Sequence, residues 1–410
     1  MRRQGVKLPF VSASDPMRVV VAGAGVAALE AALALRELAE DRVTVELVAP
    51  EEDFTYRPLA VAEPFRVGEA RHFPLRALVE EAGAKLRQAA IQSIEPERHV
   101  AVTSDGAELG YDALLLALGA RPRKAIPGAL TFRGPEDGQA LVRLLTEAED
   151  GRIRTIAFAI PSGVTWPLPL YELALLTDVY LADAGVGGGS LQVVTPEDRP
   201  LGLFGPAASD AVRELLDIRG IKLSTRMTAI SAEEGTLRVA PGGRIDADRV
   251  VALPQLEGPR LPGTPFDGHG FVPTDPHGRV LGLEDVWAAG DLTAFSVKQG
   301  GLAAQQADAA AESIAAQAGA EIDPAPFKPV LRGLLLTGLV PRFLRGGPGV
   351  ASAIDTEPLW WPPAKIVGRH VAPFLAAHMG LSTEPPSVAR EGAVEVEVEL
   401  DLDMHTALEL

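Results

Sequence analysis

Val19, Val20, Val21 and Ala22 lead into Gly23-Ala24-Gly25 and then into Val26, Ala27 and Ala28, an apolar strand that enters an alanine-rich helix through a glycine turn. Such a turn accepts a pyrophosphate, because free backbone N–H groups at a helix start and the helix dipole both favour negative charge. Gly25 stands where the backbone must come closest to phosphate. Far along the chain a second apolar strand, Val286-Trp287-Ala288-Ala289, ends in Gly290-Asp291 just before another helix. Between the two, Leu114 to Leu118 run into Gly119-Ala120-Arg121-Pro122. The three segments read as parts of one nucleotide-binding site.

Composition narrows the chemistry. The chain has 410 residues, a formal net charge of −17 and no cysteine. That length supports two or three domains with their own cores. The negative charge argues against nucleic acid or an anionic membrane surface as a partner. Zero cysteines exclude dithiol chemistry, iron–sulfur ligation and thiolate zinc sites. The seven histidines show no ligand spacing, so no metal site is expected. No apolar run approaches the ~20 residues of a transmembrane helix, and no signal-like segment opens the chain, which makes a cytoplasmic location the default expectation.

Strand, glycine turn and helix in that order predict an α/β fold. Val43 to Val48 read as the second strand of the first unit. A dinucleotide fold wants a carboxylate at the end of this strand for the adenosine ribose hydroxyls. Ala49 takes the usual place, and Glu51, two positions on, becomes the candidate. His99–Val102 and Glu108–Tyr111, split by Asp105-Gly106, read as a hairpin leading into the Leu114 strand.

Together these motifs resemble the FAD-binding signature of the two-dinucleotide-fold flavoproteins, the pyridine nucleotide–disulfide oxidoreductase superfamily. The resemblance points to its sulfide:quinone oxidoreductase and type II NADH dehydrogenase branch, here without redox cysteines. It implies FAD as cofactor, held by Gly23, Gly25, Val26, Ala27, Ala117, Gly119, Arg121, Gly290 and Asp291. Asp291 would meet a ribitol hydroxyl or the pyrophosphate edge. Ile91 falls where relatives contact adenine through the main chain. The segment Phe54-Thr55-Tyr56-Arg57-Pro58-Leu59 is similar to one that runs beneath the flavin ring, with Arg57 as the cation. Lys298 and Gln299 open the helix whose positive end would face the flavin N1–C2=O edge, where reduction places negative charge.

A second strand–helix unit starts at Thr155-Ile156-Ala157-Phe158-Ala159-Ile160. An NADH-using relative would follow this strand with its own glycine cradle. Here Pro161, Pro167 and Pro169 cannot donate backbone hydrogen bonds, and Trp166 would crowd a pyrophosphate. Weak NAD binding is expected. Glu172 aligns with a glutamate that NADH-using relatives place between nicotinamide and flavin. It would either relay protons or serve as a first-turn acid of its helix. Glu172 and Lys298 are the catalytic candidates. Glu197 reads as structural.

The expected architecture is two Rossmann-like dinucleotide-binding folds, the first discontinuous, plus a C-terminal α+β domain. Residues 1–16 form a loose tail; 17–126 and 255–320 form the FAD-binding domain; 127–254 form the second fold with a degenerate NAD motif; 321–410 form the last domain. Phe327–Leu335 and Leu339–Leu344 read as a hairpin, and Lys365–Met379 as an amphipathic stretch. Trp360 and Trp361 would roof the substrate pocket, as the C-terminal region does around quinones in the similar enzymes, or fill an interdomain core. At the end, Glu395, Glu397, Glu399, Asp401 and Asp403 alternate with Val394, Val396, Val398, Leu400 and Leu402. That period-two pattern reads as an acidic edge strand closing a sheet within the chain, with a second copy or a basic partner as the other pairing it allows.

The expected function is FAD-dependent transfer of two electrons from a small-molecule donor to a quinone-like or other small acceptor. NAD(P)H-dependent flavin reduction and a non-catalytic flavin-binding or assembly subunit are the alternatives. Peripheral membrane contact and a homodimer remain open.

Overall fold

Strands rich in Val, Leu and Ala can be buried on both faces, which is what a parallel sheet under two layers of helix requires. β1 (Met17–Ala22), β2 (Val43–Ala49), β3 (Lys85–Gln88) and β4 (Ala113–Leu116) build such a sheet, and its inner strands are buried. A computed structural model describes residues 15–385. The tail through residue 14 and the alternating acidic segment 394–403 lie outside the described residues. α1 (Val26–Ala39) follows β1, and α2 (Leu75–Glu81) precedes β3. A three-stranded antiparallel excursion, residues 91–110, separates β3 from β4 and contains the expected hairpin.

The chain then leaves through Arg121–Arg123 and builds a second sheet. It comprises β5 (Leu130–Thr131), β6 (Thr155–Ala159), β7 (Ser190–Val194), β8 (Lys222–Ser224) and β9 (Arg249–Ala252), parallel and ordered β5-β9-β6-β7-β8. Its helices are α3 (Gly138–Glu149), α4 (Leu168–Asp183) and α5 (Pro206–Ile218). Return is by Gln255–Glu257, which pairs antiparallel with Arg121–Arg123, so the two crossings form one ladder.

Back in the first unit, β10 (Val286–Ala288) adds beside β4 and completes the order β10-β4-β1-β2-β3. α6 (Gly300–Gln317) follows and packs on α1. Ala28, Ala31 and Ala32 of α1, with Ala304, Ala307 and Ala311 of α6, are fully buried, and such small side chains allow close helix approach. Both helices run back from the carboxyl edge of the sheet, so their N-termini lie together. The last unit is an antiparallel sheet, β11 (Leu331–Leu335), β12 (Arg342–Gly346) and β13 (Ala353–Asp355), followed by α7 (Val371–His378).

Before β10, Thr274 and Val280 form an isolated antiparallel bridge. One local expectation is corrected. The stretch Lys365–Met379 is helical only from Val371; the residues before it form a strap across α1 and α6. Gly368 explains the strap, since a Cβ there would lie 2.7 Å from Glu30 Oε2 and 3.0 Å from Ala304 Cβ. Among the described residues no helix is long and apolar enough to cross a membrane.

Candidate active site

The carboxyl edge of the first sheet is built around glycines. Gly23 has φ +125°, its N–H donates to Val48 O at 2.9 Å, and a Cβ there would meet Ala117 O at 2.2 Å. Packing of the turn against the end of β4 therefore demands glycine. Gly25, at φ −86°, is different: a Cβ there would meet nothing within 4 Å. It faces open space at the start of α1, a helix with no side-chain cap. Its first N–H groups are thus free for a ligand. Gly119 likewise faces open space.

Gly290 closes the other side. Its N–H donates to Gln306 Oε1 at 2.7 Å, and a Cβ there would sit 3.3 Å from Ala27. A Cβ on Gly300 would lie 3.8 Å from Val26, so the two helix starts meet. The cradle has room where a pyrophosphate needs it and glycine where the chain must pack. These residues fit a dinucleotide.

Other candidates take distinct places. Glu51 is exposed just past β2, and Arg57 is exposed at a short 3-10 turn. Ala117 is buried, with its N–H donating to Ala22 O at 2.8 Å. Ile91 begins an outer strand, half-buried and paired with Thr103. Arg121 belongs to the interdomain ladder, opposite Glu257. The Gln299 side chain caps α6, with Oε1 accepting from Leu302 N at 2.8 Å and Nε2 donating to Arg332 O at 3.3 Å. Only its backbone is left to face a ligand.

A cavity of about 270 Å³ opens between the two dinucleotide folds, walled by Arg57, Phe132, Trp166, Leu256, Phe271 and Lys298 among others. Lys298 does not extend along the axis of α6. Its Nζ donates to the Thr293 carbonyl and lies 3.8 Å from the Phe271 ring centroid. Burial pulls the ammonium down to about 8, against the opposing pull of Asp291. Burial in turn pushes Asp291 up, with Lys298 opposing. In the second fold Trp166 stacks edge-on against Phe204 at 5.6 Å and faces the cavity, in the place of a glycine cradle.

Glu172 is not a first-turn acid. It sits in the second turn of α4, and its Oε1 accepts from Lys365 Nζ at 2.6 Å and from Leu336 N at 2.9 Å. Burial pushes the carboxyl up and the ammonium down, while each partner pulls the other back toward charge. With both side chains enclosed and 2.6 Å apart, the ion pair is the state that the geometry supports. One residue on, Ile366 N donates to Tyr56 Oη at 3.1 Å, tying the strap to the segment that carries Arg57. Lys365 and Tyr56 are missing from the sequence-based candidates; the signal was a lone lysine amid Ala364, Ile366 and Val367. Glu197 is structural as expected, accepting from Tyr171 Oη at 2.7 Å and Thr195 Oγ1 at 2.9 Å. Trp360 packs on Phe343 at 5.1 Å and donates to Ala364 O at 3.0 Å. Neither it nor Trp361 lies among the cavity's wall residues.

Residues 17–159 match the family described as pyridine nucleotide-disulphide oxidoreductase. A rubredoxin-NAD(+) reductase of Pseudomonas putida is 26% identical over 59% of this chain, which spans 63% of that protein's length. An NADH dehydrogenase-like protein of Mycobacterium tuberculosis is 27% identical over 68% of this chain and 73% of its own. Among solved structures, the sulfide:quinone oxidoreductase of Aquifex aeolicus superposes with a TM-score of 0.76 at 19% identity, covering 83% of this chain and 87% of that one. A ferredoxin reductase from Rhodopseudomonas palustris gives 0.61 at 20% identity, covering 81% and 82%. Over residues 17–159 this chain is therefore similar to the pyridine nucleotide-disulphide oxidoreductase family, and that likeness supports an FAD-dependent oxidoreductase.

Proposed function

We propose that this chain uses FAD to pass two electrons from a small-molecule donor to a quinone-like acceptor, with no cysteine step. The observation that carries this reading is the convergence of two helix N-termini on glycines with open faces, beside a cavity walled by aromatic rings and the cations Arg57, Arg133 and Lys298. Bound FAD supplies the two-electron chemistry, so the protein needs neither nucleophile nor metal for it.

The backbone N–H groups from Gly25 to Ala27 would hold the pyrophosphate, and Asp291 would accept from the ribitol. Arg57 and Lys298 would offset negative charge at the cavity and draw anionic groups into it. The N-terminus of α6 adds a fixed positive field at the same edge. The buried Glu172–Lys365 ion pair, close to the Tyr56–Arg57 segment, would serve as the proton relay. Action alone or as a homodimer, and a cytoplasmic or membrane-peripheral location, belong to this proposal.

A second reading keeps NADH as the donor, as the names of the rubredoxin-NAD(+) reductase and NADH dehydrogenase-like relatives suggest. The proline-rich turn and Trp166 weigh against it. Anaerobic mixing of FAD-loaded protein with NADH, NADPH or a quinol separates the two. The proposal expects electron exchange with the quinol and slow, low-affinity reduction by either nicotinamide. Fast reduction by NADH would replace it with the second reading.

A further inference from the structure

Behind the cradle, α1, α6 and the strap bring together three groups that neither the flavin site nor the cavity uses. Glu30 is fully enclosed in α1, Asp308 projects from α6, and His370 ends the strap; one ligand atom from each lies within 4.8 Å of the others. Glu30 Oε1 accepts from His370 N at 2.9 Å and Oε2 from Val371 N at 2.5 Å, so the backbone fixes this carboxylate and leaves each oxygen a lone pair.

The imidazole supplies a second, independent indication. The His370 side chain is 9% exposed, and its Nδ1 lies 3.3 Å from Glu37 Oε2. With Nδ1 beside that carboxylate, Nε2 is the ring nitrogen turned toward the cluster. That Nε2 points at Asp308 Oδ1 across 3.8 Å, and neither atom has a hydrogen-bond partner among the described residues. Two enclosed polar atoms thus face each other, neither with a hydrogen-bond partner among the described residues. Arg369 does not fill the gap; its Nη1 lies 3.7 Å from Glu312 Oε1 at the rim.

We propose that Glu30, Asp308 and His370 bind one divalent transition-metal ion of the zinc class. Metal–ligand bonds of ~2.1 Å in a tetrahedral site put ligand atoms about 3.4 Å apart, close to the His370–Asp308 separation. One imidazole nitrogen and two carboxylate oxygens suit such an ion better than magnesium or calcium, which prefer all-oxygen shells. Two carboxylates cancel its charge, and the partly open Asp308 side leaves room for a water as fourth ligand. Glu37 completes the carboxylate–histidine–metal arrangement. The ion would clamp the strap that carries Lys365 onto both helices of the first domain.

The test uses the full chain, treated with EDTA and dialysed against Zn²⁺ with a weak competing chelator, followed by elemental analysis. The parent should retain one Zn²⁺ per chain. His370→Gln and Asp308→Asn, each checked for folding by circular dichroism, should bind at least tenfold more weakly. Zn²⁺ should raise the thermal midpoint of the parent and of neither variant. Asp308→Asn is nearly isosteric and keeps the comparison open if His370→Gln does not fold. A parent that retains no Zn²⁺, or variants that retain as much as the parent, would overturn the site and leave a shared proton in the gap.

Discussion

Lys365 Nζ lies 2.6 Å from Glu172 Oε1, across 193 residues of sequence, with 6% and 1% of the two side chains exposed. The pair joins the strap to the second dinucleotide fold, while Tyr56 and Glu30 join the same strap to the first. One short segment thus fixes the relative placement of three units around the cavity.

Because the pair is buried, removing one member strands the other. Lys365→Met should destabilise the fold by about 3–5 kcal/mol, and Glu172→Gln should cost less because the amide can still meet Leu336 N. The double variant should recover much of the Lys365→Met loss. Urea unfolding of the three proteins measures this; a double-variant loss equal to the sum of the two single losses would mean that the charges do not depend on each other.

Gly23 and Gly25 should respond oppositely to alanine. At Gly23 the clash with Ala117 O and the φ of +125° are internal, so Gly23→Ala should lower stability even without cofactor. Gly25→Ala should leave the thermal midpoint of the cofactor-free protein nearly unchanged, because beyond its own chain neighbours no protein atom lies within 4 Å of the new Cβ. FAD affinity should nevertheless fall about ten- to a hundredfold, or ~1.4–2.7 kcal/mol. Calorimetric titration with FAD decides; unchanged affinity would place the pyrophosphate elsewhere.

Lys298→Met should lower the flavin midpoint potential. Loss of one partly screened charge changes the stability of the reduced form by ~1–2 kcal/mol, roughly 20–45 mV for a two-electron couple. The sign with pH follows from the depressed ammonium: Lys298 is charged below about 8 and neutral above it. The difference between parent and variant should therefore be largest at pH 6–7 and shrink above pH 8. Redox titrations at several pH values test this, and identical potentials throughout would mean that Lys298 is remote from the flavin.

NADH should reduce the flavin poorly, because the Pro161–Pro169 turn offers Trp166 where a phosphate cradle would be. Stopped-flow absorbance with NADH measures the rate. Rapid bleaching at micromolar NADH would contradict the prediction.

What was legible in the sequence was local. A glycine turn after a Val-rich strand, Gly290-Asp291 after Trp287, and prolines in place of glycines each declare their conformation within a few residues, and each stands where expected. Contacts over long separations were not legible. Nothing near Glu172 announces Lys365, and no spacing rule links Glu30, Asp308 and His370, which three different elements bring together. Side-chain direction also escaped: Lys298 turns back to Thr293, and Gln299 spends its side chain on capping. Trp360 and Trp361 illustrate the same limit, since bulky aromatics suit a cavity roof and a packing layer equally.

The most direct measurement is reoxidation. FAD-loaded protein is photoreduced without oxygen and mixed in a stopped-flow instrument with a short-chain quinone, with absorbance followed at the flavin band. The flavin should return to its oxidised spectrum in one two-electron phase whose rate rises with quinone concentration. A reduced flavin that persists at saturating quinone, in folded protein that holds its FAD, would contradict the proposed electron transfer.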